Sequence, residues 1–397
     1  MMPLSGLVVL DLTRLTPGGF CSLMLADYGA RVIKIEDTEM GDYIRLFPPY
    51  YHKTGANHWI YNRNKESLSI DLKTQTGKDI FKQLVKKADV VLDSFRPGVM
   101  DRLGLGYETL KSWNDRIICC SITGFGQTGP YKHRVGHDTN YIALTGLLDL
   151  NGEKNGRPII PSTQIADIGG GSLNATIAIL MALYAREKSG HGDYIDISML
   201  DGTIPWLTLF AGDYFAEGKP AVRGESPISG DWPRNYVYKT KDNKYMAVSA
   251  TEDKFWARLL KILTLPDVDK SMDLTDEKIK NHVRHRLEEE FAKKTRQEWE
   301  DFLKNEEVCV SPVLNIEEAF KNEQVVSREM FIDVEFPGYV KAHQMGLPLK
   351  MKNNQGSIRT APPRHGEHTR SILKEIGFQD TEIDGFVKEK IVLCNPK

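Results

Sequence analysis

The sequence predicts an α/β protein in which a large, doubly wound, Rossmann-like parallel-sheet domain is joined to a smaller α+β domain. Three observations predict it. Short apolar runs alternate with amphipathic stretches from residue 7 onward, the runs are apolar at consecutive positions, and after residue 200 the texture changes to alternating strands and charged helices. Consecutive apolar residues suit a parallel sheet covered on both faces, because neither face of such a strand meets water. In order, "LVVLDL", "GGFCSLMLADYGA" and "RVIKIE" read as strand, helix and strand. "SLSIDL" (67–72) then leads into "KTQTGKDIFKQLVKKA", where Ile80, Phe81, Leu84 and Val85 fall at helical spacing, and on to the strands "DVVLDSF" and "RIICCSIT". Further on, "NYVYKTKDNKYMAVSA" (235–250) is a hairpin, with two alternating strands around a Lys-Asp-Asn-Lys turn. "TRQEWEDFLKNEE" opens with Thr295 and carries Glu298 three places later, a capping box that starts a helix. The expected domains are 1–224 (large), 225–330 (small) and 331–397, a tail returning to the large domain.

Composition narrows the class. A net charge of −2 and 41% hydrophobic residues give none of the basic excess that nucleic-acid binding needs. Five cysteines, odd in number and without a C-x-x-C pair, suggest neither a disulfide framework nor a metal site, which fits a reducing, cytoplasmic setting. The opening "MMPLSGLVVLDLTRL" lacks the basic start of a signal peptide. The longest apolar stretch, "ATIAILMALYA" (175–185), is too short to span a bilayer and reads as a core helix, so no membrane partner is expected.

Among the motifs, "GFGQTG" (124–129) satisfies G-x-G-x-x-G after a strand. However, Pro130 and the polar "YKHRVGHDTN" follow it where a dinucleotide site needs a helix, so it reads as a tight turn. His282 and His285, in the charged "KIKNHVRHRLEEE", read as a solvated helix face. His137 in "GHDTNYIALTG" and Asp167 in "ADIGGG" stand thirty positions apart, each beside a glycine-bearing turn. Asp167 precedes a long apolar-periodic helix. Gly169, Gly170 and Gly171 in its first turn either open the helix amides to a ligand or permit close packing. Seven basic residues, Arg14, Lys34, Arg63, Lys65, Lys73, Arg96 and Arg102, stand at strand ends or just beyond, where open α/β sheets bind phosphates.

Eight segments, from "PLSGLVVLDLTRLTPGGFCSLMLADYGARVIKIE" through "ADVVLDSFRPGVMDRLGLGYETL" and "ADIGGG" to "PPRHGEHTRSILKEIG", resemble the family III coenzyme A transferases of CaiB/BaiF type, in family order across nearly the whole chain. Within that superfamily "GHDTNYIALTG" is similar to the motif of the α-methylacyl-CoA racemases, and "AVSATEDKFW" supplies Glu252 where they carry a glutamate. The resemblance implies His137, Asp167 and Glu252 as catalytic residues. It implies coenzyme A contacts at Arg14, Lys34, Leu72, Lys73, Phe95, Arg96 and Arg102. It also implies an interlocked homodimer in which Glu252 reaches His137 of the other chain. Two departures stand out: Asp37 where relatives often have arginine, and Ser94 where transferases often have asparagine.

The chemistry that this implies is inversion at the carbon beside a thioester. A proton leaves one face and another arrives on the opposite face, which calls for two groups, His137 and Asp167. If neutral His137 is the base, Asp167 must start protonated, which a desolvated site favours. Glu252 would orient the imidazole, and amides at the start of the Asp167 helix would hold the enolate oxygen. The acyl-CoA is the substrate, with no cofactor beyond its own coenzyme A. The alternative is a CoA-transferase in which Asp167 is the nucleophile, forming an anhydride and then a thioester. "IPWLTLFAGDYF" (204–215) is either acyl channel or plain core.

Overall fold

The apolar runs form strands, and their order places the ligand crevice. In a computed structural model describing residues 1–51, 53–337 and 341–395, seven strands lie side by side. They run in the order Val392–Leu393, Lys65–Ile70, Arg31–Glu36, Val8–Asp11, Val90–Asp93, Ile118–Thr123 and Tyr194–Ser198. All pair in parallel except Val392–Leu393, which runs antiparallel beside Lys65–Ile70. Leu10 is in register with Ile33 on one side and Val91 on the other. The chain winds outward from Val8–Asp11 in one direction and from Val90–Asp93 in the other. The carboxyl ends of these two strands therefore border a switch point, where open α/β sheets take ligands.

The sheet belongs to a unit formed by Met1–Thr145, Ser162–Trp206 and Glu323–Lys397. Its core gathers Leu10, Ile33, Leu68, Phe81 and Val91 from strands and helix together with Ile372 from the tail. Burying each such side chain contributes about 1.5–3 kcal/mol. Helix Gln75–Val85 buries Ile80, Phe81, Leu84 and Val85 as their spacing predicts, and the Thr74 hydroxyl caps it by accepting the Gly77 N–H.

The helical run from Ile165 to Ser189 extends the apolar stretch at 175–185 in both directions and, by length and composition, could cross a membrane. It is only half a core helix. Ala175, Ile179 and Ala182 are buried, while Leu173, Ile177, Leu180, Met181 and Tyr184 are exposed. Arg186 lies on the buried side and pairs with Asp89 at 2.8 Å, an ion pair that ties this helix to the sheet unit.

The second unit comprises Gly146–Pro161 and Leu207–Asn322. The positions 224/225 expected as a domain boundary fall inside it, and 330/331 falls inside the first unit. Its strands Asn235–Lys239 and Tyr245–Ser249 form the expected hairpin, extended by Val310–Pro312 into a three-stranded antiparallel sheet. Its core stacks Tyr238 on Phe291 at 5.0 Å, with Trp299 donating to the Phe291 carbonyl at 2.9 Å. The Thr295 and Glu298 capping box is present at the start of helix Arg296–Leu303.

Candidate active site

A cavity of about 710 Å³ lies in the first unit at the switch point, walled by loops that follow three strands. Arg14 comes from the loop after Val8–Asp11, Phe95 and Arg96 from the loop after Val90–Asp93, and Gly124 and Phe125 from the loop after Ile118–Thr123. His137 and Asp167 line the same cavity, so folding brings the two candidates together across thirty residues of chain.

Local sequence explains how each is held. His137 immediately precedes helix Asp138–Thr145, and its N–H donates to Asn140 Oδ1 at 3.0 Å, which ties the loop to the first turn. The His137 side chain is exposed to the cavity. Asp167 sits in the first turn of Ile165–Leu173, a stretch of wide, π-type helical turns continued by Asn174–Ser189. Such wide turns recur at functional sites. Asp167 is largely desolvated and faces a second carboxyl, that of Asp138. Burial first and the Asp138 charge second push its pKa up to about 6.

The glycines serve packing. A Cβ at Gly170 would come 2.5 Å from the Met199 carbonyl oxygen, and one at Gly169 would collide with the Trp206 ring. The expected enolate donors are also already in use. The Asp138 carboxylate accepts the N–H groups of Ala166 at 2.6 Å and Asp167 at 3.0 Å, and the Ile168 N–H donates to the Gln164 carbonyl at 3.1 Å. The opening amides of this helix are therefore not free for an oxyanion, because a carboxylate one loop away caps them first.

The basic set divides. Arg14 and Arg96 line the cavity beside Phe95, whereas Leu72, Lys73 and Arg102 do not. Leu72 packs on the core, and Lys73 and Arg102 are exposed. Lys34, expected among the phosphate contacts, is instead fully enclosed. It pairs with Asp42 at 2.9 Å and donates to the Thr13 carbonyl at 2.9 Å, so it braces the loop that carries Arg14. A lysine inside a strand buried on both faces has no route to solvent, and Asp42 is the charge it needs. Arg63 and Lys65 are likewise buried and paired, with Asp27 and Asp11. Asp37 does not stand unpaired against a phosphate. One carboxylate oxygen accepts the N–H groups of Glu39, Met40 and Gly41, and the other pairs with Arg14 at 2.8 Å. Arg45 is bound to Glu36 and is not free to offset Asp37. Ser94 Oγ accepts the Arg14 N–H at 3.1 Å.

Lys132 and Arg134 also line the cavity, and Asp138 binds the amides of Ala166 and Asp167; none of these was singled out from the sequence. Their signal was present in "YKHRVGHD", whose two cations and aspartate flank the histidine, but the segment reads as an ordinary polar loop. Glu252 belongs to the second unit, where it is exposed at the start of helix Asp253–Leu263 and accepts from the Thr251 hydroxyl at 3.1 Å. "GFGQTG" forms a turn, with Gly126 and Gly129 at φ +80° and no helix until Asp138. His282 and His285 are exposed beside Asp267, Glu288 and Glu289. Among the described residues no group of three or more His, Cys, Asp or Glu side chains is placed to hold a metal ion.

The doubly wound sheet thus gathers a histidine, a desolvated aspartate and arginines around one switch-point cavity. The profile of CoA-transferase family III matches residues 4–369, and the chain belongs to that family, as an enzyme of the CoA-transferase/racemase type. It is 36% identical over 397 residues to the alpha-methylacyl-CoA racemase of Mus musculus, covering 98% of both chains. It is 33% identical over 386 residues to the succinyl-CoA:glutarate CoA-transferase of the same organism, covering 95% of this chain and 87% of the relative. Among solved structures, a CAIB/BAIF family protein from Brucella suis superposes with a TM-score of 0.82 at 30% identity, covering 94% of this chain and 99% of that one.

Proposed function

We propose that this chain racemises or epimerises 2-methylacyl-CoA thioesters by two-base proton transfer through an enolate. The observation that carries the reading is that His137 and Asp167 line one cavity, with Asp167 held near pKa 6 by burial. At pH 7 roughly a tenth of such a carboxyl is protonated, and a bound acyl chain that excludes more water raises that share. In one direction neutral His137 removes the α-proton while protonated Asp167 delivers another to the opposite face. In the reverse direction ionised Asp167 is the base and the imidazolium is the acid. Both directions use one proton on the pair, so the enzyme ends each turnover ready for the reverse. Arg14, Arg96, Lys132 and Arg134 line the cavity, and their charge would attract the phosphates of coenzyme A.

The exposed stripe Leu173, Ile177, Leu180, Met181 and Tyr184 supports a homodimer, since a contiguous apolar helix face is costly to leave in water. In the interlocked arrangement Glu252 of the partner subunit orients the His137 imidazole.

A CoA-transferase is the second reading. It is favoured by transferase relatives as similar as the racemases, and by an Asp167 carboxylate open to the same cavity. Proton NMR in deuterium oxide decides between them, using one enantiomer of a 2-methylacyl-CoA and no free carboxylic acid. Exchange of the α-hydrogen with inversion, abolished in His137→Ala, is the expected result. Absence of exchange over a panel of acyl chains, with CoA transfer once a carboxylic acid is added, would overturn it.

A further inference from the structure

Asp138 is linked to both candidate catalytic groups at once. It follows His137 in the chain, and its carboxylate accepts the backbone N–H groups of Ala166 and Asp167 at 2.6 and 3.0 Å. It is 9% exposed, so the contact is shielded from water. The spacing between histidine and aspartate is thus set by one residue, covalently on one side and by two charge-assisted hydrogen bonds on the other. Tyr141 and Tyr61 feel the charge of Asp167, and His137, Arg14, Arg96, Lys132 and Arg134 line the same cavity. Ser172, on the same helix, donates to its backbone carbonyl and to that of Pro17. Helix Met199–Thr203 sets Met199 and Thr203 against the glycines that follow it. Asp138 is the charged side chain that acts on its carboxyl.

We propose that Asp138 is a positioning residue with two separable duties: its buried carboxylate pins the turn that presents Asp167, and it sets a negative charge beside the Asp167 carboxyl. The catalytic consequence rests on the racemase reading, but the protonation does not. Asp138→Asn separates the duties, because the amide oxygen still accepts the two N–H groups while the charge is gone.

The test is a carbon-13 NMR titration of protein labelled at aspartate carboxyls, with the Asp167 signal assigned by its loss in Asp167→Asn. In Asp138→Asn the Asp167 midpoint is expected to fall by about one pH unit, in line with removal of an adjacent like charge. In the direction in which Asp167 donates, kcat/KM at pH 7 then falls about tenfold, with the loss recovered at lower pH. An unmoved midpoint overturns the proposal whatever the activity. A moved midpoint without α-proton exchange upholds it and removes only the racemase reading. Should the variant not fold, the same titration in Asp138→Ser answers: a lowered Asp167 midpoint is expected, and an unmoved one overturns the proposal.

Discussion

Arg14 and Asp37 pair at 2.8 Å beside the cavity, with both side chains more than a third exposed and Arg14 lying over the Tyr43 ring. The pair occupies a cation that would otherwise be free for a phosphate, and an exposed pair of this kind is weak and screened by salt. Asp37→Asn is therefore expected to tighten acyl-CoA binding by roughly 1.5- to fivefold at low ionic strength. The gain should shrink in high salt. Calorimetric titration with coenzyme A at two salt concentrations checks it, and equal affinity for both proteins would show that Arg14 does not meet the phosphates.

Asp167 also affects stability. Its folded pKa of about 6 lies above its ordinary value of 3.8, so the native state holds the proton more tightly than the unfolded chain does. Stability therefore falls as pH rises from about 4 to 6, and the cost is complete above that window. Asp167→Asn is expected to raise stability by on the order of 1–3 kcal/mol at pH 7.5 and to change little at pH 4. Urea unfolding at both pH values reads the difference, and an equal effect at both would remove ionisation as the cause.

The same titration gives the two readings of function opposite signs. A proton donated by Asp167 is lost as pH rises through about 6, so α-proton transfer in that direction weakens toward alkaline pH. A nucleophilic Asp167 gains activity over the same range, because only the carboxylate attacks. Initial rates from pH 5 to 8 with each enantiomer in turn, and with an acyl-CoA plus free acid, read the sign: one enantiomer losing rate toward alkaline pH is the racemase outcome, and a rise confined to the reaction with free acid is the transferase one.

Gly170 is expected to tolerate no side chain. An added Cβ would sit 2.5 Å from the Met199 carbonyl oxygen and 2.6 Å from Thr203 Oγ1, and backbone cannot swing aside as a flexible side chain would. Gly170→Ala should cost about 1–3 kcal/mol and displace the turn holding Asp167, so that kcat falls as well. Gly212→Ala, which meets nothing within 4 Å, is the control and should be near neutral.

Ile177 is 49% exposed in the middle of the apolar stripe on the helix that follows Asp167. If that face is covered by a second copy, Ile177→Glu buries an unpaired charge and should convert a dimer to monomer. Light scattering after size exclusion measures this, and an unchanged mass would place the dimer contact elsewhere.

The alternation of apolar runs and helical spacings by itself determined the strands, the helices such as Gln75–Val85, the hairpin and the Thr295 cap. These are local features, set by period and capping chemistry that neighbouring residues express alone. His137 and Asp167 were legible as candidates for the same reason, each beside a glycine turn. Only tertiary structure decided what each could do. Lys34 and Arg14 look alike as strand-end cations, yet pairing on both sides of Arg31–Glu36 seals one and leaves the other at the cavity. The opening amides of the Asp167 helix look free until the Asp138 carboxylate, brought from another loop, occupies them. Whether the glycines served a ligand or close packing turned on the Met199 carbonyl, some thirty residues away. Desolvation and charge are sums over neighbours in space, and neighbours in space are what a linear sequence does not state.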